Sequence, residues 1–127
     1  RLSEALPLVN EIRNRAARST TLVFDYGASF KVEPYTMAEW TDRDIAMRDL
    51  KWERRLELAL EGSRFFDLVR WGDAAKVMNQ YYASEASRRS YYSDANFTAG
   101  KNEYLPIPQK QINYSGGLYQ QNNGWEK

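Results

Sequence analysis

A chain of 127 residues with 18 basic and 17 acidic side chains has a formal net charge of +1, too small to draw it to nucleic acid or to an anionic bilayer. It contains neither cysteine nor histidine, which excludes disulfides, thiolate nucleophiles, Cys- or His-ligated metals and His-dependent triads within this chain. The length suits one core and one domain, 1–127, while nine Tyr and four Trp supply rings for that core or for a wet binding surface.

No apolar run reaches the roughly 20 residues that span a bilayer, and RLSEALPLVN (1–10) lacks the regions of a secretory signal. Opening on Arg1 without a methionine, the chain reads as a piece of something longer.

In SEALPLVNEIRNRAARS (3–19), Ala5, Leu6, Val9, Ile12 and Ala16 recur at steps of three and four, which predicts an amphipathic helix entered near Pro7. TTLVFDYGASFKVEPYT (20–36) mixes β-branched and aromatic residues with Gly27 and Pro34 and predicts irregular or briefly extended chain. Thr36 and Glu39 have the spacing of a capping box, and Thr41 or Asp42 suits the cap of the helix that follows. From Asp42 onward Ile45, Asp49, Trp52, Leu56, Ala59 and Leu60 fall along one stripe, and Gly62 stands where a left-handed residue would end the helix.

A short helix through RFFDLVRW (64–71) runs to Gly72, and Asp73 is placed to cap a third helix, DAAKVMNQYY (73–82), with Val77 and a Tyr inward. ASEASRRSYYSDANFTAGKN (83–102) has little periodicity and predicts a long surface loop, a kind of segment that is usually functional or disordered. YLPIPQKQINYSGGLYQQNNGW (104–125), with Pro106 and Pro108 around Ile107, predicts an extended, non-helical tail that docks on something apolar. The chain is expected to be mainly α.

ERRLELALEGSRFFDLVRWG (53–72) concentrates charge and rings. Glu57 lies three positions after Arg54 and four before Glu61, and Arg64, Asp67 and Arg70 alternate in sign at three-residue steps, close enough to pair on a helical face. Phe65, Phe66, Leu68, Val69 and Trp71 are too many apolar groups for one face of a short helix, so some must be covered on two sides. An acid–base pair of Glu57 with Asp67, as in glycoside hydrolysis, ranks below ion pairing, and a metal site of Glu53, Glu57 and Glu61 ranks below plain helix surface.

The same block resembles the Glu-Arg-Arg-x-Glu-Leu-x-x-Glu-Gly-x-Arg-x-x-Asp-Leu-x-Arg-x-Gly signature of the SusD/RagB family. ALPLVNEIRNRAA (5–17) is similar to that family's Asn-x-x-Arg-x-Arg-Ala helix, and 104–125 to its closing Leu-Pro-Ile-Pro-Gln and Gln-Asn-x-Gly-Trp pieces. The chain departs from the pattern where Tyr-Ser-Gly-Gly replaces the Asn-Pro common in the closing segment, and in being several times shorter than an ordinary member.

The resemblance implies the C-terminal part of a helical-repeat (TPR-like) scaffold with long loops and an extended tail. It implies a non-catalytic, cofactor-free glycan-binding lipoprotein on the Bacteroidetes outer-membrane surface, anchored by an N-terminal lipid not in this chain. Such a protein delivers oligosaccharide to a TonB-dependent, SusC-like transporter; some members bind peptide instead. It further implies that Arg54, Glu57, Arg64 and Asp67 hold helices in register while Phe65, Phe66 and Trp71 pack beneath.

No ligand residue carries over by motif. Ring stacking on sugar faces points to Tyr81, Tyr82, Tyr91 and Tyr92, with Asn79, Asn96 and Asp94 nearby, and to Trp40 as a second possibility. The competing reading is that these tyrosines fold the loop onto the helices or meet the transporter. A helical interaction scaffold without a sugar ligand, or a hydrolase, stands as the alternative in function.

Overall fold

The computed structural model describes residues 1–18 and 31–126, so most of the reading for 20–36 lies outside the described residues. Five α-helices follow in order, α1 (Leu2–Arg18), α2 (Arg43–Glu57), α3 (Arg64–Trp71), α4 (Ala74–Glu85) and α5 (Gln109–Tyr114), with a 3₁₀ turn at Ser90–Tyr92. No strand occurs among the described residues. The chain divides into two compact units, Arg1–Ala59 and Leu60–Lys127.

In the first unit α1 begins at Leu2, ahead of Pro7, which lies inside the helix. The missing N–H of Pro7 deprives only the Ser3 carbonyl of its helical donor, and both residues are exposed, so water can serve in its place. Leu6 and Val9 are buried with Trp40 and Ala46, while Leu2, Tyr35 and Leu50 pack around them; Ala5, read as part of that face, is exposed. The Asn10 side chain donates to the Tyr35 carbonyl (2.8 Å) and accepts from the Tyr35 N–H (2.8 Å), fixing an irregular segment to α1 at two points.

Thr36 and Glu39 close the capping box around a single turn: the Glu39 carboxylate accepts from the Thr36 N–H (2.7 Å) and hydroxyl (2.8 Å). These bonds, the backbone one foremost, hold the Glu39 carboxyl below its ordinary value. The cap of α2 is Asp42, whose Oδ1 accepts from the amides of Asp44 (2.8 Å) and Ile45 (2.9 Å).

The buried face of α2 is Ala46, Asp49 and Glu53; of the stripe read from the sequence Asp49 is buried and Ile45 half-buried, whereas Trp52 and Leu56 are exposed. Partnered carboxylates account for the reversal. Glu53 takes the Arg13 guanidinium and the Tyr35 hydroxyl (3.1 Å), and Arg13 also donates to the Glu33 carbonyl (2.6 Å) and lies 4.1 Å over the Tyr35 ring. Glu57 takes Arg15. The helix stops at Glu57, so Gly62 does not close it; Leu60, beyond that end, is wholly exposed at φ 67°.

In the second unit α3 ends as read. Gly72, at φ 73°, turns left-handed, its N–H reaching the Val69 carbonyl (3.0 Å) and that of Asp73 the Leu68 carbonyl (2.9 Å), the paired bonds of a Schellman cap. Asp73 stands at the N-cap of α4. Leu68, Ala74 and Phe97 form the core, with Val77, Met78 and Tyr82 packed on it, so Val77 and a tyrosine do turn inward.

Phe97 arrives from outside the helices and is held by a second amide clamp: Asn79 Nδ2 donates to its carbonyl (2.9 Å) and Asn79 Oδ1 accepts its N–H (2.8 Å). A third clamp orders the tail, where Gln121 accepts from the Ile107 N–H (2.7 Å) and donates to its carbonyl (2.8 Å). Asn122 donates to the Leu105 carbonyl (2.6 Å), and the Trp125 indole N–H is shared between the carbonyls of Lys101 and Tyr104, each at 3.2 Å. The tail is not wholly non-helical, because α5 forms within it. Pro108 supplies the extended residue before its first turn, and the Gln109–Asn113 side-chain bond (3.0 Å) braces it.

Burial sets the cost of breaking the two ion pairs on α2. The Arg13 and Glu53 side chains are 15% and 8% exposed, so Glu53→Ala strands a buried guanidinium and is expected to cost about 3 kcal/mol or more in urea unfolding. Arg15 and Glu57 are 69% and 31% exposed, and Glu57→Ala should cost under about 1 kcal/mol. Asn79→Ala leaves the Phe97 N–H and carbonyl without their partners and should cost about 2 kcal/mol.

A further test is titration. Burial, then the Glu53 hydrogen bond, pushes the Tyr35 hydroxyl up to about 12 from an ordinary 10. Its contribution is complete below pH 10 and is lost as the pH rises from 10 to 12, where the unfolded chain ionises first. Tyr35→Phe should flatten that part of the stability profile, and Glu53→Gln should lower the Tyr35 midpoint in ring-labelled NMR.

Candidate functional site

Consecutive tyrosines on a helix lie about 100° apart, so near the end of α4 Tyr81 is on the solvent side and Tyr82 on the core side, their rings still meeting edge-on at 6.2 Å. The chain then reverses. The N–H groups of Arg88 and Arg89 both reach the Glu85 carbonyl (2.9 Å each), and the 3₁₀ turn brings Tyr91 and Tyr92 back. Asn79 and Phe97 clamp the far end of this excursion to the same helix.

The four rings therefore converge. Tyr82 and Tyr92 stack at 5.5 Å with 21° between planes, Tyr81 meets Tyr92 edge-on at 5.6 Å, and Tyr91 lies 4.5 Å from Tyr92. Tyr82 and Tyr92 are half-buried and form the base; Tyr91, 70% exposed, and Tyr81 form the open side. The hydrogen bond with the Tyr92 hydroxyl, and then lost solvation, pushes the pKa of the Tyr81 hydroxyl up, so that it holds its proton more firmly. Arg89 lies beside the hydroxyl of Tyr91 and the carboxylate of Glu85, which hold its guanidinium firmly charged.

Ring faces, phenolic hydroxyls and guanidinium groups side by side can stack on the C–H face of a sugar while donating to and accepting from its hydroxyls. The nearby polar groups are placed differently from expectation: Asn79 is committed to the Phe97 backbone, and Asn96 donates to the Thr98 hydroxyl (3.0 Å). Asp94 is exposed. Glu85, Arg88 and Arg89 belong to the cluster and were not singled out in the sequence, where the pair Arg88-Arg89 just before Ser90-Tyr91-Tyr92 was the available signal.

Trp40, a candidate for stacking in the sequence, is not placed to stack on a ligand. It is 2% exposed, packed in the core with Leu6, Val9 and Ala46, and its indole N–H is buried without a hydrogen-bond partner, so it offers no ring face to a ligand.

The residues assigned to bracing are placed unevenly. Glu57 links α2 to α1 through Arg15, and buried Asp67 pairs with Arg70 one turn along α3 (2.6 Å). Arg64 lies 5.9 Å over the ring of half-buried Trp71, Arg54 is half-buried, and Phe65 meets Phe97 edge-on at 6.2 Å. Phe66 does not pack beneath: it is 74% exposed, because it lies on the side of α3 opposite Leu68 and its core. A buried link between α1 and α2, Arg13 with Glu53, joins these braces; its arginine is that of the Asn-x-x-Arg-x-Arg motif.

Glu57 and Asp67 are engaged in separate ion pairs, and no group of three or more acidic residues able to hold a metal converges among the described residues. No helix among them is long and apolar enough to cross a membrane. No curated protein matches the chain. The family model described as SusD family matches residues 2–125, a span that takes in the Asn10–Arg13–Arg15 helix, the 53–72 block and the clamped tail. That match, running almost end to end, makes the chain a member of the SusD family, whose proteins are in general non-catalytic, outer-membrane-associated glycan binders of nutrient uptake.

Proposed function

We propose that this chain binds glycan on the cluster of Tyr81, Tyr82, Tyr91 and Tyr92 and does not cleave it. One observation carries the reading: four rings from two segments meet in a single group whose outer member, Tyr91, is 70% exposed. Tyrosines serving only to fold the loop would turn their faces inward, as Tyr82 does on the core of Leu68 and Phe97. An open ring beside a guanidinium suits a ligand with both apolar faces and hydroxyls.

On the same reading the protein sits on the outer-membrane surface, held by a lipid on a cysteine outside these residues, and passes oligosaccharide to a SusC-like TonB-dependent transporter. Family membership supports this placement.

Affinity electrophoresis through a panel of soluble polysaccharides tests the site. Retardation by at least one polymer should fall about tenfold in Tyr91→Ala with little change in melting temperature, since an exposed ring contributes little to packing. Tyr92→Ala should lower both binding and stability, because its ring joins the other three. Undiminished retardation of both variants would remove the cluster as the site.

A further inference from the structure

The charge beside the tyrosines is unequal. The Glu85 carboxylate, only 17% exposed, faces two guanidiniums, Arg88 at 3.7 Å and Arg89 at 3.6 Å. Both separations exceed a hydrogen bond, so the carboxylate steadies the two cations without saturating their donors. Their side chains are 77% and 51% exposed, and two positive charges on one negative leave one in excess at this point. Asp94, the other acidic residue of the segment, is exposed and in no ion pair with either arginine.

Position matters as much as charge. Arg89 stands beside the hydroxyls of Tyr91 and Tyr92, so a planar fork of N–H donors borders the open side of the ring cluster. Such a fork takes a carboxylate or a sulfate through two parallel bonds, roughly twice as strong as those to a neutral hydroxyl. On an acidic sugar the anionic group projects from the ring edge, so a residue stacked on Tyr91 would present it to the guanidiniums.

We infer that the glycan bound by this cluster is anionic, its carboxylate or sulfate ester read by Arg88 and Arg89 while its sugar ring lies on Tyr91. The inference rests on the proposed binding function of the same rings. Arg88 and Arg89 are then the specificity-determining residues and the tyrosines the platform.

The test pairs polymers that differ only in charge: polygalacturonan with its carboxyl-reduced product, and carrageenan with its desulfated galactan. Affinity electrophoresis of the chain should show at least one anionic polymer retarding it about tenfold more strongly than its neutral partner. The R88Q/R89Q double variant should lose that preference while staying folded, with only a small fall in melting temperature, because both arginine side chains are exposed and glutamine leaves Glu85 an amide donor in place of each guanidinium. Tyr91→Ala should weaken retardation by the anionic polymer as well. The carboxylate and sulfate pairs separate the two sources of charge.

Equal retardation by charged and neutral partners, still lost in Tyr91→Ala, overturns the anionic reading and leaves glycan binding at the rings standing. Retardation by anionic polymers that Tyr91→Ala leaves untouched overturns it too, because charge alone would be acting. No retardation by these polymers, alongside ring-dependent retardation by others, overturns the anionic reading alone. No retardation by any polysaccharide removes both proposals.

Discussion

The fold depends on a side-chain amide doing for irregular chain what a neighbouring strand does in a sheet. A backbone N–H and carbonyl taken from water need partners, and without them each costs on the order of 1–3 kcal/mol. Asn10 satisfies both groups of Tyr35, Asn79 both groups of Phe97, and Gln121 both groups of Ile107, each with bonds of 2.7–2.9 Å. Only Asn and Gln carry donor and acceptor at a spacing that suits both groups of one residue. The long non-helical stretches thereby acquire fixed positions with no strand among the described residues.

The clamps and the ion pairs share elements. Asn10 and Arg13 lie one turn apart on α1: Asn10 fixes the Tyr35 backbone, and Arg13 lies over the Tyr35 ring while pairing with Glu53. Tyr35 is thus held by backbone, ring face and hydroxyl at once, and its hydroxyl joins Arg13 on Oε1 of the buried Glu53 carboxylate. Each contact is modest, but removing one partner leaves the next desolvated and unpaired, which is why buried networks behave as units.

What was legible in the sequence was local. The steps of three and four in α1, Gly72 as a left-handed stop and Val77 turned inward all depend on neighbours within a turn or two. The buried face of α2 was misread because hydrophobic spacing favoured Trp52 and Leu56, whereas partners distant in sequence, Arg13 and Tyr35, drew Glu53 inside. Trp40 was misplaced for the same reason: burial by Leu6 and Val9 is not written in its own surroundings. The short α5 was hidden by prolines that suggested extended chain throughout. The gathering of four tyrosines was suggested by paired rings on either side of a turn, yet the flanking arginines gave no periodicity by which to weigh them.

Because Asn79 grips Phe97 on the same helix from which the tyrosine-bearing excursion departs, both feet of that excursion are anchored in one rigid body. The 3₁₀ turn at its tip lies outside that core, so substitutions there that spare Tyr82 leave the packing of Leu68, Ala74 and Phe97 in place. The amide works as the socket of an exchangeable fitting. Changes in the 3₁₀ turn can therefore re-aim its exposed rings without unseating the helix that carries them.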